Sequence, residues 1–499
     1  MLYRSTRGNS EPVTAAGAIR LGIAPDGGLF VPAEEVFVNP GELALMAGIS
    51  YQQRAVRILQ MFLTDFTPGE IGDCVEGAYG AAKFDVPEVA PLEKLDGPLY
   101  VLELWHGPTC AFKDMALQLL PRLLPRAAGK VGEDREIAIL VATSGDTGKA
   151  ALEGFRDVPG TRIIVFFPAR GVSEVQRLQM VTQEGGNVHV VAVDGNFDQT
   201  QSGVKAIFTD PVVIEAIDRQ GYRFSSANSI NWGRLVPQVV YYFSAYADLL
   251  ARGEIRPGET VNFVVPTGNF GNILAAYYAR RMGLPVGRLI CASNRNNVLT
   301  DFIRTGIYDR TREFYRTISP SMDILISSNL ERLLYDVTGG DAVRVRGWME
   351  ELQEKGSYRV DGETLEKIQS VFWSDFAGDP ATMETIRRIY RKYGYLMDTH
   401  TAVGMYVYER YLEATGDTRK TVLVSTASPF KFNQSVAAAI LGEEAVRGKG
   451  EFELLEILSR VTGMPVPGGL KDLDKKPVRH TLIVAPGEMK RVVQELLTR

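Results

Sequence analysis

Lys113 ends the run His106, Gly107, Pro108, Thr109, Cys110, Ala111, Phe112 and is followed by Asp114 and a helical stretch. A lone lysine at a helix start is usually solvated. This one follows two apolar residues, Ala111 and Phe112, and a strand pattern that ends just upstream. Partial burial lowers a lysine's pKa and leaves a nucleophilic amine that a carbonyl cofactor can capture. Two small-residue turns add anion-binding chemistry. Thr143, Ser144, Gly145, Asp146, Thr147 and Gly148 follow an apolar strand and open a helix, as do Thr267, Gly268, Asn269, Phe270, Gly271 and Asn272. Small residues let backbone N–H groups approach an anion, and the helix N-terminus adds a favourable dipole. Neither turn is a nucleotide fingerprint. The first has its glycines too close for a Walker A loop, with Ala150 after Lys149 where Ser or Thr belongs, and the second lacks GxGxxG. A fourth stretch, from Ser225 to Arg234, carries Asn228, Ser229 and Asn231, and Arg234 could clamp a phosphate through two N–H groups. Late in the chain, Thr426 follows a strand and could present its hydroxyl to a ring nitrogen.

The elements that must hold these residues form a rhythm. β-rich apolar runs at residues 99–104, 137–143, 162–167, 188–193, 261–265 and 289–292 alternate with helical periodicity at 173–184 and 270–282. Strand–helix alternation of this kind predicts parallel sheets covered by helices, which bind ligands at the carboxyl ends of the strands. Residues 1–95 are mixed, with amphipathic helices expected at 51–64 and 68–84. Residues 300–395 are richer in charge and helix formers and read as a helical insertion, and strand character returns at 421–425 and 481–484. The expected division is an N-terminal domain over 1–95, a catalytic core over 96–300 with a small subdomain at 130–210, an insertion over 301–395, and a part completing the core over 396–499.

Composition excludes several classes. The 499 residues carry 55 basic and 60 acidic side chains, a net charge of −5, which argues against a dedicated nucleic-acid binder. Cys74, Cys110 and Cys291 are widely spaced, and the four histidines show no metal-ligand spacing, so neither a disulfide framework nor a metal site is expected. The N-terminus lacks the apolar core of a signal peptide, and no apolar run approaches the roughly 20 residues of a membrane helix. A cytoplasmic protein, bound to neither nucleic acid nor membrane, is the expectation.

Taken in order, these segments resemble the threonine synthases, members of the fold type II pyridoxal-phosphate enzymes. The likeness includes Tyr3 to Gly8, Ala24 to Phe30, the lysine segment, the 143–148 and 268–272 turns and the segment from Asn228 to Arg234. It continues through Ser319 to Ile324 and His400 to Gly404 to Thr426, and residues 440–499 carry the least specific part. The resemblance implies an α/β fold of two open, twisted, mainly parallel sheets. It implies pyridoxal 5'-phosphate as cofactor, joined to Lys113 as a Schiff base. Gly268, Asn269, Phe270, Gly271 and Asn272 would hold the cofactor phosphate, and Thr426 would face the pyridine nitrogen. Thr143, Ser144, Asp146 and Thr147 would surround the substrate carboxylate and imine. Asp146 is the awkward member, since an acid repels a carboxylate unless it pairs or protonates. Asn228, Ser229, Asn231 and Arg234 would grip the phosphate of O-phospho-L-homoserine, the implied substrate, converted with water to L-threonine and phosphate. The oligomeric state implied is monomer or homodimer. Rival readings are a related phospho-lyase or a serine/threonine dehydratase, which has no substrate phosphate to bind, and a catalytically silent binding protein.

Overall fold

The computed structural model describes residues 1–143 and 145–498. Two parallel sheets organise the chain. The larger has six strands in the order Phe372–Phe376, Val286–Ser293, Val261–Pro266, Thr421–Ser425, Leu99–Glu103 and Leu92–Asp96. All neighbours are parallel except the last pair, where Leu92–Asp96 runs antiparallel to Leu99–Glu103. The smaller sheet has five parallel strands, in the order Ile483–Val484, Val188–Val193, Thr161–Pro168, Glu136–Ala142 and Tyr222–Ser225. Strands Leu99–Glu103, Val261–Pro266 and Thr421–Ser425 are buried at every residue. That is what continuous apolar runs produce when helices cover both faces of a parallel sheet.

The loops singled out in the sequence all leave the carboxyl ends of strands. The Lys113 segment follows Leu99–Glu103, and Thr143 follows Glu136–Ala142. The Gly268 turn follows Val261–Pro266, Asn228 to Arg234 follow Tyr222–Ser225, and Thr426 follows Thr421–Ser425. In the N-terminal region, helices Tyr51–Phe62 and Pro68–Tyr79 start where Ser50 with Gln53, and Thr67 with Glu70, close capping boxes. Arg54 then buries its guanidinium against the long helix Trp232–Ala251, donating to Ser244 Oγ and Asp248 Oδ1, both at 2.7 Å.

Three features depart from the sequence expectation. Residues 301–395 are not purely helical: Phe372–Phe376 forms an edge strand of the large sheet, with Leu289 opposite Phe372, and Ile307–Asp309 pairs antiparallel with Ser357–Arg359. The edge strand follows helix Gly362–Val371 without an intervening turn, so no breaker marks it. The small sheet also reaches outside residues 130–210, taking in Tyr222–Ser225 and the late strand Ile483–Val484. The two strands expected after residue 420 therefore enter different sheets. Among the described residues no helix is long and apolar enough to cross a membrane.

One close approach joins the two helices that carry the site. A Cβ on Gly154, in helix Asp146–Phe155, would lie 1.8 Å from the carbonyl oxygen of Leu117, the last residue of helix Asp114–Leu117. Gly154→Ala must push these helices apart. The expected cost is about 1–3 kcal/mol, seen as a lower denaturant midpoint with an unchanged slope.

Candidate active site

Lys113 opens helix Asp114–Leu117 and is held from both sides. The Phe112 N–H donates to the Thr426 carbonyl at 2.8 Å, and Ala111 forms a bridge with Ala427. The buried carboxylate of Asp114 accepts from the Thr109 N–H and hydroxyl, both at 2.8 Å, which fixes the turn before the lysine. The Lys113 side chain is buried. Its Nζ donates to Ser321 Oγ at 3.0 Å, lies 3.4 Å from Asp146 Oδ2, and sits 4.6 Å from the centre of the Phe112 ring. Burial pushes this amine below the usual lysine range. Asp146 opposes the shift, while the neighbouring cations Lys431 and Arg234 add to it.

Asp146 is committed to the protein. Its Oδ1 is 3.0 Å from Lys431 Nζ and accepts from Gln176 Nε2 at 2.9 Å, and its Oδ2 accepts from Ser321 Oγ at 3.0 Å. Burial alone would raise this carboxyl's pKa, but the ammonium groups of Lys431 and Lys113 hold it well below the usual carboxylate range. The difficulty of an acid beside a substrate carboxylate is resolved: Asp146 is an ionised partner for two buried lysines. Lys431 is fully buried and also donates to the Thr109 carbonyl at 2.8 Å, tying the chain after Thr426 back to the lysine segment.

The 268–272 turn forms a cradle. Phe270 adopts a left-handed conformation (φ 63°) as the N-cap of helix Gly271–Arg281. Such a conformation is costly for a bulky residue, and it places the unpaired N–H groups of the helix start beside the cavity. Gly268 is required by proximity, since a Cβ there would lie 2.7 Å from the Ser321 carbonyl oxygen. Asn272 Oδ1 accepts from the hydroxyls of Tyr241 at 2.5 Å and Tyr242 at 2.7 Å, which fixes the amide, and its buried Nδ2 has no partner among the described residues. A buried donor without an acceptor at a helix N-terminus suits an anionic oxygen.

One cavity of about 980 Å³ gathers Lys113, Thr143, Asp146, Thr147, Asn228, Ser229, Arg234, Gly268 to Asn272 and Thr426. Ser144 lies outside the described residues. Arg234 is buried, donates to the Ala227 carbonyl at 2.6 Å, and pairs with no carboxylate among the described residues; its Nε has no partner. Burial lowers its pKa to about 10, so it remains a cation facing the cavity. Asn231 departs from expectation. Its Nδ2 donates to the carbonyls of Ile19 and Ser226, and its Oδ1 caps helix Trp232–Ala251 through the Gly233 N–H, so its polar atoms are spent on the fold and it does not line the cavity. The Thr143 hydroxyl is similarly engaged, accepting from the N–H groups of Gly145 and Gly148 at 3.0 Å, although the residue does line the cavity. A buried amine, a helix N-terminal turn and a buried threonine in one cavity fit pyridoxal phosphate: Lys113 would take its aldehyde, residues 268–272 its phosphate and Thr426 its pyridine nitrogen.

Family models match nearly the whole chain: Threonine synthase N terminus over residues 2–79, Pyridoxal-phosphate dependent enzyme over 83–364, and Threonine synthase, C-terminal over 401–493. A threonine synthase of Pseudomonas aeruginosa is 40% identical over 475 residues, covering 93% of this chain and 96% of the relative. The chain belongs to the threonine synthases. The Saccharomyces cerevisiae threonine synthase is 36% identical, covering 88% of this chain and 89% of its own. Human threonine synthase-like 1 is 41% identical over 85% of this chain but only 57% of its own length. Among solved structures, a PLP-bound threonine synthase from Brucella melitensis has a TM-score of 0.88 at 37% identity, covering 100% of this chain and 99% of that one. The Escherichia coli threonine synthase has a TM-score of 0.75 at 26% identity, covering 99% and 100%. The architecture is thus the fold type II one, and this threonine synthase family member is a lyase with pyridoxal phosphate as cofactor. The C-terminal family likeness runs to residue 493, through the segment where sequence motifs are weakest.

Three residues at the centre of this threonine synthase site carry no local signal of their role. Ser321 bridges Lys113 and Asp146, and its N–H donates to His400 Nε2 at 3.1 Å. A backbone N–H can only donate, so Nε2 is an acceptor and the ring proton is on Nδ1, 2.8 Å from Asp398 Oδ1. Lys431 is the third. Ser321 and His400 lie inside family-like segments, and Lys431 stands between Phe430 and Phe432, an apolar setting that is the available hint of burial.

His106, at the start of the lysine segment, stacks on Trp105 and sits between Asp85 at 2.7 Å and Glu103 at 2.8 Å. Burial alone would lower its pKa, but the two carboxylates raise it from 6.5 to about 9. A raised histidine contributes stability fully below its unfolded pKa, and that contribution is lost as pH rises through the folded one. The melting temperature should therefore fall between pH 6.5 and about 9, and His106→Gln should flatten the curve in that window. A wild-type-minus-variant difference that does not change with pH would contradict this assignment.

Proposed function

We propose that this enzyme converts O-phospho-L-homoserine and water to L-threonine and phosphate, in the cytoplasm and as a monomer or homodimer. One observation carries the substrate assignment: Arg234, buried and without a carboxylate partner among the described residues, faces the cavity that contains Lys113 and the cradle. A buried cation needs an anion. The 268–272 cradle serves the cofactor phosphate, so Arg234 with Asn228 and Ser229 is left for a second phosphate, on the substrate. A dehydratase acting on unphosphorylated serine or threonine brings only a carboxylate, which the Thr147 turn would take, and leaves that cation without an anion.

The bound cofactor supplies an electron-withdrawing ring that acidifies the carbon bonds of the attached amino acid. Lys113 would hold the cofactor through its aldehyde, and its amine would be freed for proton transfer once the substrate amine occupies that position. The freed amine would move protons at the substrate carbons: off Cα, off Cβ as phosphate leaves Cγ, onto Cγ, and, once water has added at Cβ, back onto Cα. Burial suits Lys113 to this work because it brings the amine toward neutrality, and Ser321 Oγ at 3.0 Å holds it in place. Thr147 and neighbouring N–H groups take the substrate carboxylate. Asp146 stays ionised against Lys431 and takes no proton.

Purified enzyme should be yellow, and borohydride should bleach it and leave the reduced adduct on the peptide containing Lys113. With O-phospho-L-homoserine, it should release phosphate and threonine in equal amounts; a keto acid in place of threonine would make it a lyase of another kind. Lys113→Ala should abolish turnover and the borohydride-reduced adduct on that peptide. Arg234→Ala should lower kcat/KM for the phosphorylated substrate ~100-fold or more, the usual scale for removing one partner of a buried charge contact. Its effect on unphosphorylated amino acids should be much smaller, and equal losses would remove the phosphate role.

A further inference from the structure

We propose that Ser327 and Asn329 are positioning residues for the cofactor-phosphate cradle, turning its carbonyls outward so that its N–H groups face the anion. This rests on the reading of residues 268–272 as that cradle. In a trans peptide the C=O and the following N–H point in opposite directions. The Gly268 carbonyl accepts from Ser327 Oγ at 2.8 Å. The Asn269 carbonyl accepts twice from Asn329, from its N–H and its Nδ2, both at 3.1 Å. Two successive carbonyls are thus drawn toward the 327–329 segment, and the N–H groups of Asn269 and Phe270 are directed away from it. Neither N–H has an acceptor among the described residues.

These holders are themselves fixed. Ser327 and Asn329 are buried. The Ser327 N–H donates to the Tyr308 hydroxyl at 2.7 Å, and that hydroxyl donates to the Leu325 carbonyl. Asn329 Oδ1 accepts from Arg332 Nη1 at 2.5 Å, so the amide must present Nδ2 to the cradle. Arg332 is fully buried and pairs with no carboxylate among the described residues. It donates through Nε to the Phe30 carbonyl at 3.0 Å and through Nη2 to the Ile230 carbonyl at 2.6 Å. A guanidinium on the amide oxygen polarises the amide and strengthens its N–H donors. The same Nδ2 lies 3.2 Å from the Ser229 carbonyl, so the strut also braces the segment that carries Arg234.

The test compares two ligands on the full chain stripped of its cofactor. Pyridoxal phosphate and pyridoxal share the ring and the aldehyde that reacts with Lys113, so the ratio of their affinities isolates the phosphate contribution. Ser327→Ala and Asn329→Ala should each lower affinity for pyridoxal phosphate ~10-fold, the scale of one hydrogen bond, and leave pyridoxal within about twofold. If Asn329→Ala does not fold, Ser327→Ala, which removes a single hydroxyl, carries the comparison alone. Equal losses for both ligands, or an unchanged affinity for pyridoxal phosphate, overturn the proposal. Asn272→Ala, which removes the unpartnered Nδ2 inside the cradle, separates the two levels. If it erodes the phosphate preference while the Ser327 and Asn329 variants keep it, the cradle stands and the positioning role falls. If it too leaves the preference intact, the cradle reading falls with it.

Discussion

The Asp146 carboxylate is the buried charge around which the site is assembled. Lys113 approaches it from the large sheet, Lys431 from the chain after the sheet's fourth strand, and Ser321 from the long segment between the core strands. An isolated buried charge is prohibitively costly, so each of these segments must be in place for the others to be stable. The balance is deliberately uneven. Two lysines share one carboxylate, and Arg234 adds a further cation to the same cavity. That excess of positive charge belongs with ligands bearing phosphate and carboxylate groups, and it keeps the Lys113 amine easily deprotonated.

The two sheets divide the work. The six-stranded sheet presents the amine, the cradle and Thr426. The five-stranded sheet presents the Asp146 turn and the segment leading to Arg234. Left-handed Phe270 lines the cavity and left-handed Cys110 lies three residues before Lys113, where backbone strain is tolerated because surrounding contacts over-determine it. Hydrogen bonds between loops (Phe112 to Thr426, Asn329 to both Asn269 and Ser229) keep these separate segments in register.

Much of this was legible in the sequence wherever the signal is local. Apolar runs marked most core strands, and amphipathic spacing marked the helices Tyr51–Phe62 and Pro68–Tyr79. The small-residue turns after strands located the cavity. What escaped depends on distant partners. Phe372–Phe376 grows directly out of a helix and becomes a strand only because Val286–Ser293 offers an open edge. Asn231 has the right chemistry for a ligand, yet the carbonyls of Ile19 and Ser226 claim it. Ser321 and Lys431 meet Asp146 across gaps in the chain that no periodicity reports. Arg332 shows the same limit: a charged residue on a helix reads as solvated until the carbonyls of Phe30 and Ile230 are seen to surround it.

The place of Thr421–Ser425 in the large sheet bears on how the molecule is made. It is a central strand, inserted between Leu99–Glu103 and Val261–Pro266, but it leaves the ribosome long after both. Until then its two neighbours face each other across a gap, each with an unpaired apolar edge. Such edges invite pairing with other chains. A nascent chain of this design needs shelter through most of its synthesis, and it closes its core only when the last quarter of the protein arrives.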